Sequence, residues 1–301
     1  MYEQIAANKR KTFLLLIGAV LFAALIGAAI GYAWGTGPVG IVIALIVATV
    51  MSVSSYLYGD RMVLASTRAR EVSAVEQPRL HNIVEGIAIA AGLPKPRIYV
   101  VPEQAPNAFA TGRDPEHSSI AVTEGLLSLM NRVELEGVIA HEMSHVQDRD
   151  ILVGTVVATV VGAAVLMAEF FMRSWWWGGF RGRRGNDSSG GPVALVLFIL
   201  GIGLLAVAPL AGQIIKFSVS RNREYLADAQ GAMLTRYPTG LASALKKIAG
   251  TPTAMRSANN ATGHLWLNQP SRIEGEQQGS LEKLFSTHPP IQDRIRRLEE
   301  M

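Results

Sequence analysis

Long uncharged apolar runs constrain this chain of 301 residues more than any other feature, because each must be buried in a core or in lipid. Residues 13–34 and 38–57 carry no charged side chain, and each covers the roughly 20 residues that cross the hydrocarbon of a bilayer. Residues 151–172, with one acid, and 192–215, with none, are also long enough. The pattern predicts a helical membrane protein with two apolar hairpins.

Basic residues set the expected orientation of the first hairpin. Residues 9–11 are Lys, Arg and Lys, the turn at 35–37 has no basic residue, and Arg61 and Arg68 follow the second run. Cytoplasmic loops are enriched in Lys and Arg, so both ends of the hairpin should face the cytoplasm. The loop of the second hairpin opposes this rule, because it carries arginines at 173, 181, 183 and 184. Incomplete insertion of residues 151–215 therefore stays open as an alternative.

A pentad at 141–145, His-Glu-Met-Ser-His, has the H-E-x-x-H spacing of zinc hydrolases. Asn131 followed by Glu134 indicates a capping box, and apolar residues recur at helical spacing through the pentad. On a helix, His141 and His145 project from one face and can share a metal ion, while Glu142 is the candidate general base. The sequence therefore predicts one zinc ion per chain.

A third ligand is expected from another helix, and thiolates are excluded because the chain has no cysteine. Glu224 and Asp228 follow the last apolar run at i and i+4, which puts both carboxylates on one helical face. One can bind zinc, and the other can accept the second ring N–H of a ligating histidine and fix its orientation. Acidic pairs on helices are more commonly solvated surface charges, and that alternative stays open here.

The polar segments predict one soluble domain that the second hairpin divides. A helix near 80–91 precedes short strands at 97–101 and 119–122, and residues 217–301 predict helices interrupted by a polar stretch at 251–278. Neither part has an evident core of its own. The predicted fold is mainly α with a small β-sheet: a helical membrane protein carrying a split zincin-like (gluzincin) catalytic domain. Its expected parts are a cytoplasmic tail (1–12), a transmembrane hairpin (13–58), the first catalytic part (59–150), the second apolar hairpin (151–215) and the second catalytic part (216–301).

Further motifs complete a family resemblance over nearly the full length. They are Asn-Ala-Phe-Ala-Thr-Gly at 107–112, the pentad, the segment 220–228 with Arg-Glu-Tyr-Leu-Ala-Asp, and Ser-Thr-His-Pro-Pro at 286–290 followed by Arg294. With its two N-terminal spans, the chain resembles the HtpX-type membrane zinc endopeptidases, relatives of the CAAX prenyl proteases. The resemblance implies that His141, His145 and Glu224 bind zinc. It also implies quality control and stress response, with cleavage of misfolded or damaged membrane proteins at a bacterial-type cytoplasmic (inner) membrane.

Two more site assignments follow from the resemblance. Asn107, Ala108, Phe109 and Ala110 resemble an edge strand along which an extended peptide binds, although Phe109 can instead be ordinary core. His288 resembles a position near the metal, where it would stabilise the developing oxyanion. The alternative is that residues 287–290 simply begin the last helix, with proline in its first turn.

Distance along the chain favours membrane substrates. If the helices of His145 and Glu224 run on into their spans, the metal lies about 9 to 13 Å from the apolar boundary. Acidic and basic residues flank the pentad closely, which argues against a protease active inside the hydrocarbon. A noncatalytic scaffold or transporter with an incidental pentad is the second alternative, against which the intact Glu142 argues.

The other charged and titratable residues are expected to have surface, pairing or packing roles rather than catalytic ones. The arginines at 221, 223 and 294 could pair with Asp228 or Glu224, although solvated charges are the default expectation. The histidines at 81, 117 and 264 are expected to be surface or packing residues. A net charge of +4 on a cytoplasmic face indicates attraction to anionic lipid, and no motif indicates nucleic acid. No feature of the sequence indicates an oligomeric state.

Overall fold

Two long helices open the chain in the computed structural model, which describes residues 2–33, 37–163, 221–251, 255, 261–268 and 289–301. Helix α1 (Tyr2–Ala33) and helix α2 (Pro38–Ser66) pack together as a hairpin. Both extend beyond the apolar runs that predicted them. Among the described residues, α2 is the one helix that is long and apolar enough to cross a membrane, by length and composition.

The surface of this hairpin is strongly apolar. Phe13 is 64% exposed, Leu25 is 70% exposed and Val50 is 60% exposed, and many of the other exposed large apolar side chains lie on the same two helices. Soluble monomers rarely expose contiguous apolar surface on this scale, because water disfavours it. The hairpin therefore needs an apolar environment that the described residues do not provide.

A four-stranded sheet follows the hairpin, in the order β1-β2-β4-β3. Its strands are β1 (Arg70–Glu71), β2 (Arg97–Val101), β3 (Ala108–Gly112) and β4 (Ser118–Thr123). Strands β2 and β4 are parallel, and β3 pairs with β4 in the antiparallel direction. The two strands predicted at 97–101 and 119–122 are confirmed as β2 and β4, and β3 lies at the edge of the sheet. Gly112 ends it with φ at 142°, where an added Cβ would lie 2.2 Å from the carbonyl oxygen of His117.

Helices make up the rest of the described chain. They are α3 (Pro78–Ala91), α4 (Glu124–Leu129), α5 (Arg132–Gln147), α6 (Asp150–Ala163), α7 (Arg221–Thr235), α8 (Pro238–Ala249) and α9 (Ile291–Glu299). Short 3₁₀ turns lie at Pro115–His117 and Gly263–Leu265. The predicted fold class, mainly α with a small β-sheet, is confirmed.

The two polar parts of the chain share one hydrophobic core. Leu135 and Ile139 of α5 lie in the same buried cluster as Leu241 and Leu245 of α8 and Leu298 of α9. The cluster also includes side chains of α3 and of the sheet. Burying this common surface is what holds the motif helix against helices that follow the second apolar stretch.

The motif helix does not run on into the next apolar segment. The estimated distance from the metal to the apolar boundary, which assumed a continuous helix, therefore does not apply to His145. Helix α5 ends at Gln147, Asp148 caps it, and Arg149 has a positive φ of 58°, after which α6 begins. Ile151, Val153 and Val157 of α6 are buried inside the protein. Residues 164–220, which include Trp175–Trp177 and the rest of the second predicted hairpin, lie outside the described residues.

Glu134 ties the start of α5 to α8, and its loss should cost stability. Its carboxylate accepts hydrogen bonds from the backbone N–H of Asn131 (2.8 Å), from Ser243 (2.7 Å) and from Lys247 (2.7 Å), although its side chain is only 4% exposed. Bonds to a charged group are worth about 1.5–3 kcal/mol, so we expect Glu134→Ala to lower the free energy of unfolding by about 2 kcal/mol. The matched control Glu136→Ala removes only an exposed pair with Arg132 and should cost about 0.5 kcal/mol or less.

The pH dependence of this contribution has a definite sign. Burial opposes ionisation of Glu134, but the bonds from Lys247, Ser243 and Asn131 outweigh it and lower the pKa of the carboxyl. The stabilisation is therefore fully present above the pKa of the unfolded chain and is lost as the pH falls through the lower folded pKa. Thermal unfolding in detergent should show the stabilities of the parent and Glu134→Ala proteins converging at acid pH. A difference in stability that stayed constant at every pH would contradict the role of the Glu134 carboxylate.

Candidate active site

Helix α5 brings the motif side chains together on one buried face. The capping box of Asn131 and Glu134 begins the helix as expected. His141 and His145 lie one turn apart, with ring centroids 4.9 Å apart and ring planes at 86°. Glu142 is buried between this helix and strand β3. The helical repeat thus places both histidines on one face, because i and i+4 positions share a face.

Glu224 comes from α7 to complete a three-residue cluster. The two histidine Nε2 atoms are 3.3 Å apart, and the Glu224 carboxylate oxygens lie 3.8 Å from His141 Nε2 and 3.6 Å from His145 Nε2. One ligand atom from each residue lies within 4.8 Å of the others. A tetrahedral zinc ion with bonds of about 2.0–2.1 Å has ligand atoms about 3.3 Å apart. The spacing and the two-nitrogen, one-oxygen donor set therefore fit a zinc ion.

Close helix packing makes this cluster possible. A Cβ added to Gly231 of α7 would lie 3.0 Å from the backbone nitrogen of His141, so α7 rests almost directly on the backbone of α5. A larger residue at this position would push the two helices apart. Glu224 lies two turns earlier on α7, which brings its carboxylate to the same face of α5.

Each histidine of the pair has a carboxylate on its other ring nitrogen. His141 Nδ1 is 3.0 Å from Asp228 Oδ1, and His145 Nδ1 is 3.1 Å from Asp150 Oδ2. An ionised carboxylate only accepts, so each Nδ1 carries a proton, and in the neutral ring that binds a metal Nε2 keeps its lone pair for the cluster. Asp228 is where the sequence predicted a supporting carboxylate, and the structure brings it to His141.

The electrostatics of the cluster favour a cation. Burial by itself would lower the pKa of His145, but Asp150, Glu224 and Glu142 outweigh it and raise that pKa to about 9. A pKa raised this far means that the surrounding carboxylates strongly favour positive charge on the ring. A divalent metal ion would supply positive charge at the same place.

Arg294 is buried beside the cluster, so the default expectation of solvation is wrong and the alternative, pairing with Asp228, is what the structure shows. Its guanidinium donates to both oxygens of Asp228, at 2.7 and 2.9 Å, and one nitrogen lies 3.6 Å from Glu224. Burial opposes ionisation of Asp228, but Arg294 and His141 outweigh it and hold the pKa of that carboxyl at about 2. Asp228 therefore stays ionised and keeps accepting from His141. Helix α9 supplies Arg294, so the last turns of the chain support the site.

Glu142 has the properties of a general base. Burial raises the pKa of its carboxyl to about 7, with the charge of His145 acting against the shift and that of Glu224 in its favour. The backbone N–H of Ala110 donates to this carboxylate, which holds it toward strand β3. A base works best when its pKa lies near the operating pH, because it is then both ionised and basic.

Asp150 and its partners are site residues that the sequence did not predict. Asp150 Oδ1 accepts from Asn8 Nδ2 (2.7 Å) and pairs with Arg223, which also contacts Asn8. Asn8 donates to the carbonyl of Asp148 as well, at 2.9 Å, and is fully buried. These contacts join residues more than 70 positions apart, and no local spacing signals them. Arg223 is thus an ion-pair partner inside the site, against the expectation that it is solvated.

Asp150→Ala should weaken metal binding without removing a candidate ligand. It frees His145 to rotate, and loss of a carboxylate behind a metal-bound histidine typically costs 10–100-fold in metal affinity. We expect that loss in competition with a chromophoric chelator, together with reduced proteolysis. Asp293→Asn, which changes an exposed carboxylate paired with Arg296, is the matched control. Unchanged metal affinity of the Asp150 variant would contradict this role.

Of the predicted peptide-binding residues, Ala110 lies beside the cluster. Ala110 lines the same cavity as His141, Glu142, His145 and Glu224. Asn107 and Ala108 lie at the start of β3, and Phe109 is fully buried. His264, a predicted packing residue, is buried at the wall of this cavity. His288 lies outside the described residues, and its role as an oxyanion stabiliser stays a prediction.

The chain matches a family of peptidases and is similar to named bacterial proteins. A model of peptidase family M48 matches residues 74–301. The chain is similar to a protein named "Protease HtpX homolog" from Thermoanaerobacter pseudethanolicus, with 46% identity over 301 residues that cover 100% of this chain and 98% of that protein. The protein of the same name from Streptococcus gordonii is 40% identical over 302 residues and is covered completely, as is this chain. Among solved structures, S. mikatae Ste24p aligns with 99% of this chain and 67% of its own, at 17% identity and a TM-score of 0.46.

Proposed function

The chain belongs to peptidase family M48 and is a metalloprotease of the HtpX type, and we propose that it hydrolyses peptide bonds of membrane proteins at the cytoplasmic membrane surface. The proposed cofactor is one zinc ion per chain, held by His141, His145 and Glu224. The proposed domain division is the one given above, with the catalytic parts at 59–150 and 216–301. Membership of a peptidase family speaks against a noncatalytic scaffold or transporter.

The proposed chemistry assigns one role to each group. His141, His145 and Glu224 would hold a zinc ion, which when bound would lower the pKa of the attacking water toward neutrality and polarise a carbonyl. Glu142 accepts the proton of the attacking water and then delivers it to the leaving amine. Asp228 and Asp150 hold the two imidazoles in the tautomer that leaves Nε2 free. Arg294 keeps Asp228 ionised, so this arrangement persists across the working pH range.

The observation that carries the membrane part of the proposal is the contact of the cluster with α1. Asp150, which pairs with His145, accepts a hydrogen bond from Asn8. Asn8 precedes Phe13, the first residue of the uncharged run, by five positions, which is about 8 Å along a helix. The apolar side chains that follow on α1 are largely exposed. A bilayer around the hairpin would therefore end close to the cluster.

The side of the membrane follows from charge. Three basic residues at 9–11 lie next to Asn8, and Arg61 and Arg68 lie at the end of α2. Basic residues that flank the spans on one side are typical of cytoplasmic segments. We therefore assign the cluster to the cytoplasmic face of a bacterial-type inner membrane. Misfolded or damaged membrane proteins, whose loops and juxtamembrane segments lie within reach of that face, are the proposed substrates.

Backbone recognition is the proposed mode of substrate binding. Strand β3 lies at the edge of the sheet, and the backbone N–H groups of Ala110 and Gly112 bond to the side chains of Glu142 and Thr155 rather than to another strand. A substrate in extended conformation can exchange main-chain hydrogen bonds for such side-chain contacts at the edge, with little demand on its sequence. Asn107 to Ala110 would then place its peptide bond beside Glu142.

The test compares two substrates that differ only in their anchor. One reporter peptide is attached directly after a single membrane-spanning helix, and the same peptide is also offered without the helix, to protease reconstituted in liposomes. Confinement to the same surface raises the effective concentration, so kcat/KM should be at least about tenfold higher for the anchored reporter. The Glu142→Gln protein and chelator-treated protein are the controls for contaminating proteases. Equal cleavage of both reporters would refute the membrane part of the proposal.

A further inference from the structure

The outer edge of β3 is already occupied by a short segment of the same chain. We call residues Leu265–Asn268 the edge segment. The backbone N–H of Leu267 donates to the carbonyl oxygen of Ala108 at 2.8 Å. This carbonyl points away from β4, since β4 bonds instead to the carbonyl of Asn107. The edge segment thus bonds where a fifth strand would add to the sheet.

The Asn107 side chain holds the next residue of the edge segment by its backbone. Its Oδ1 accepts from the N–H of Asn268 at 3.1 Å, and its Nδ2 donates to the carbonyl oxygen of Asn268 at 2.7 Å. Arg294 donates to the carbonyl oxygen of Leu267 at 3.0 Å. These contacts use only main-chain atoms of the edge segment, which every peptide possesses. The same set of groups can therefore hold another extended chain.

The edge segment also lies across the candidate active site. Leu265, Trp266 and Leu267 line the cavity that contains His141 and Glu142. Trp266 is fully buried, and its ring meets that of Phe109 edge to face at a centroid distance of 4.6 Å. Substrate bound along β3 would need the space that these side chains fill.

The Trp266 ring is buried with an unpaired hydrogen-bond donor among the described residues. Within the described part of the chain, its indole N–H has no hydrogen-bond partner. A buried donor without a partner costs about 1–3 kcal/mol relative to one that is solvated. This cost offsets part of the gain from packing the ring, and it makes exchange of the edge segment for another strand easier.

We propose that the edge segment is an intramolecular competitor that occupies the substrate-binding edge until a substrate strand displaces it. The proposal rests on the proposed function in one respect, namely that β3 is the edge along which peptides bind. Occupancy by the edge segment lowers the fraction of molecules competent to bind, and the apparent affinity for peptide falls by that same fraction. Weakening the edge segment should therefore tighten peptide binding.

The experiment measures peptide binding without catalysis or a bilayer. The probe is a fluorescein-labelled peptide with the sequence of residues 263–268, added to full-length zinc-loaded protein in detergent, with affinity read by fluorescence anisotropy. All proteins carry Glu142→Gln so that the probe is not cut. We expect Trp266→Ala to raise the affinity at least about tenfold over the Glu142→Gln parent, because loss of the indole contacts vacates the edge. Trp266→Phe, which retains a ring against Phe109, should change it less.

A second variant removes one contact without creating a cavity. Asn268→Pro deletes the N–H that donates to Asn107, leaves Trp266 in place, and should shift the affinity in the same direction. Ile89→Ala is the control, because it truncates an exposed side chain of α3 and should leave probe affinity unchanged. A probe in which its own tryptophan is replaced by alanine should bind more weakly to every protein.

The outcomes separate this proposal from the one on which it rests. Equal or weaker probe binding by both Trp266→Ala and Asn268→Pro would overturn the competitor role, whatever the enzyme cleaves. Tighter binding together with equal cleavage of anchored and free reporters would uphold the competitor role and refute only the preference for membrane substrates. Absence of saturable probe binding in all variants would overturn both the edge-binding assignment and the competitor.

Discussion

Replacing Glu142 by glutamine is expected to abolish peptide hydrolysis while zinc remains bound. Glutamine keeps the size of the side chain and can still meet the Ala110 N–H through its carbonyl oxygen, but it cannot accept the proton of the attacking water. General base catalysis contributes about 10²–10⁴-fold, so kcat should fall by about 10³-fold. Single-turnover cleavage of a fluorogenic peptide and metal analysis of the same sample check both halves of the prediction.

The control for this variant is Glu136→Gln on the same helix. Glu136 is partly exposed, pairs only with Arg132 among the described residues, and lies away from the cluster. Its replacement should leave both cleavage and zinc content unchanged. Cleavage at a normal rate by the Glu142→Gln protein would show that another group serves as the base. Loss of zinc from that protein would show instead that Glu142 supports the metal.

Replacing Glu224 by alanine is expected to remove the metal. A complete zinc site of four protein ligands binds with about 10–16 kcal/mol, so loss of one ligand should cost about 3 kcal/mol, or more than a hundredfold in affinity. The variant also leaves two imidazoles facing each other at 3.3 Å without the carboxylate that would offset the charge of a bound metal ion. Zinc content after dialysis against a weak chelator is the measurement, and proteolysis should disappear with the metal.

The control for the Glu224 variant is Glu299→Ala, which changes an exposed carboxylate of α9 paired with Lys246. It should keep its zinc through the same dialysis. Glu224→Asp is a more demanding comparison, because it retains the charge but shortens the reach by one methylene. We expect it to hold zinc with intermediate affinity. A Glu224→Ala protein that retained stoichiometric zinc would exclude Glu224 as a ligand.

Local spacing explains what the sequence could predict of this fold and site. The capping box at Asn131 fixes where α5 begins, so the face shared by His141 and His145 follows from the helical repeat alone. Strands β2 and β4 follow from apolar runs between turn residues. Glu224 and Asp228 share a face for the same reason as the histidines. Glu224 is the strongest candidate for the third ligand on its position in the chain, and the family resemblance strengthens that prediction.

Long-range contacts explain what the sequence could not predict. Asp150 is one of several charged residues that follow the pentad in the sequence. Only its contacts with Asn8 and Arg223, which lie in distant segments, distinguish it from the others. Arg294 was expected in solvent because arginine usually lies there, and burial between Asp228 and Glu224 overrides that tendency. The break after α5 depends on Arg149 in a left-handed conformation, which residues other than glycine adopt rarely.

The two helices that meet at Gly231 belong to segments that a ribosome completes at different times. Helix α5 is made first, and α7 follows only after residues 151–215 have been synthesised. If His141, His145 and Glu224 together bind the metal, a nascent chain that contains the pentad but not yet Glu224 binds metal weakly and does not cleave peptides. Latency during translation is thus a direct result of the order of these two segments along the chain.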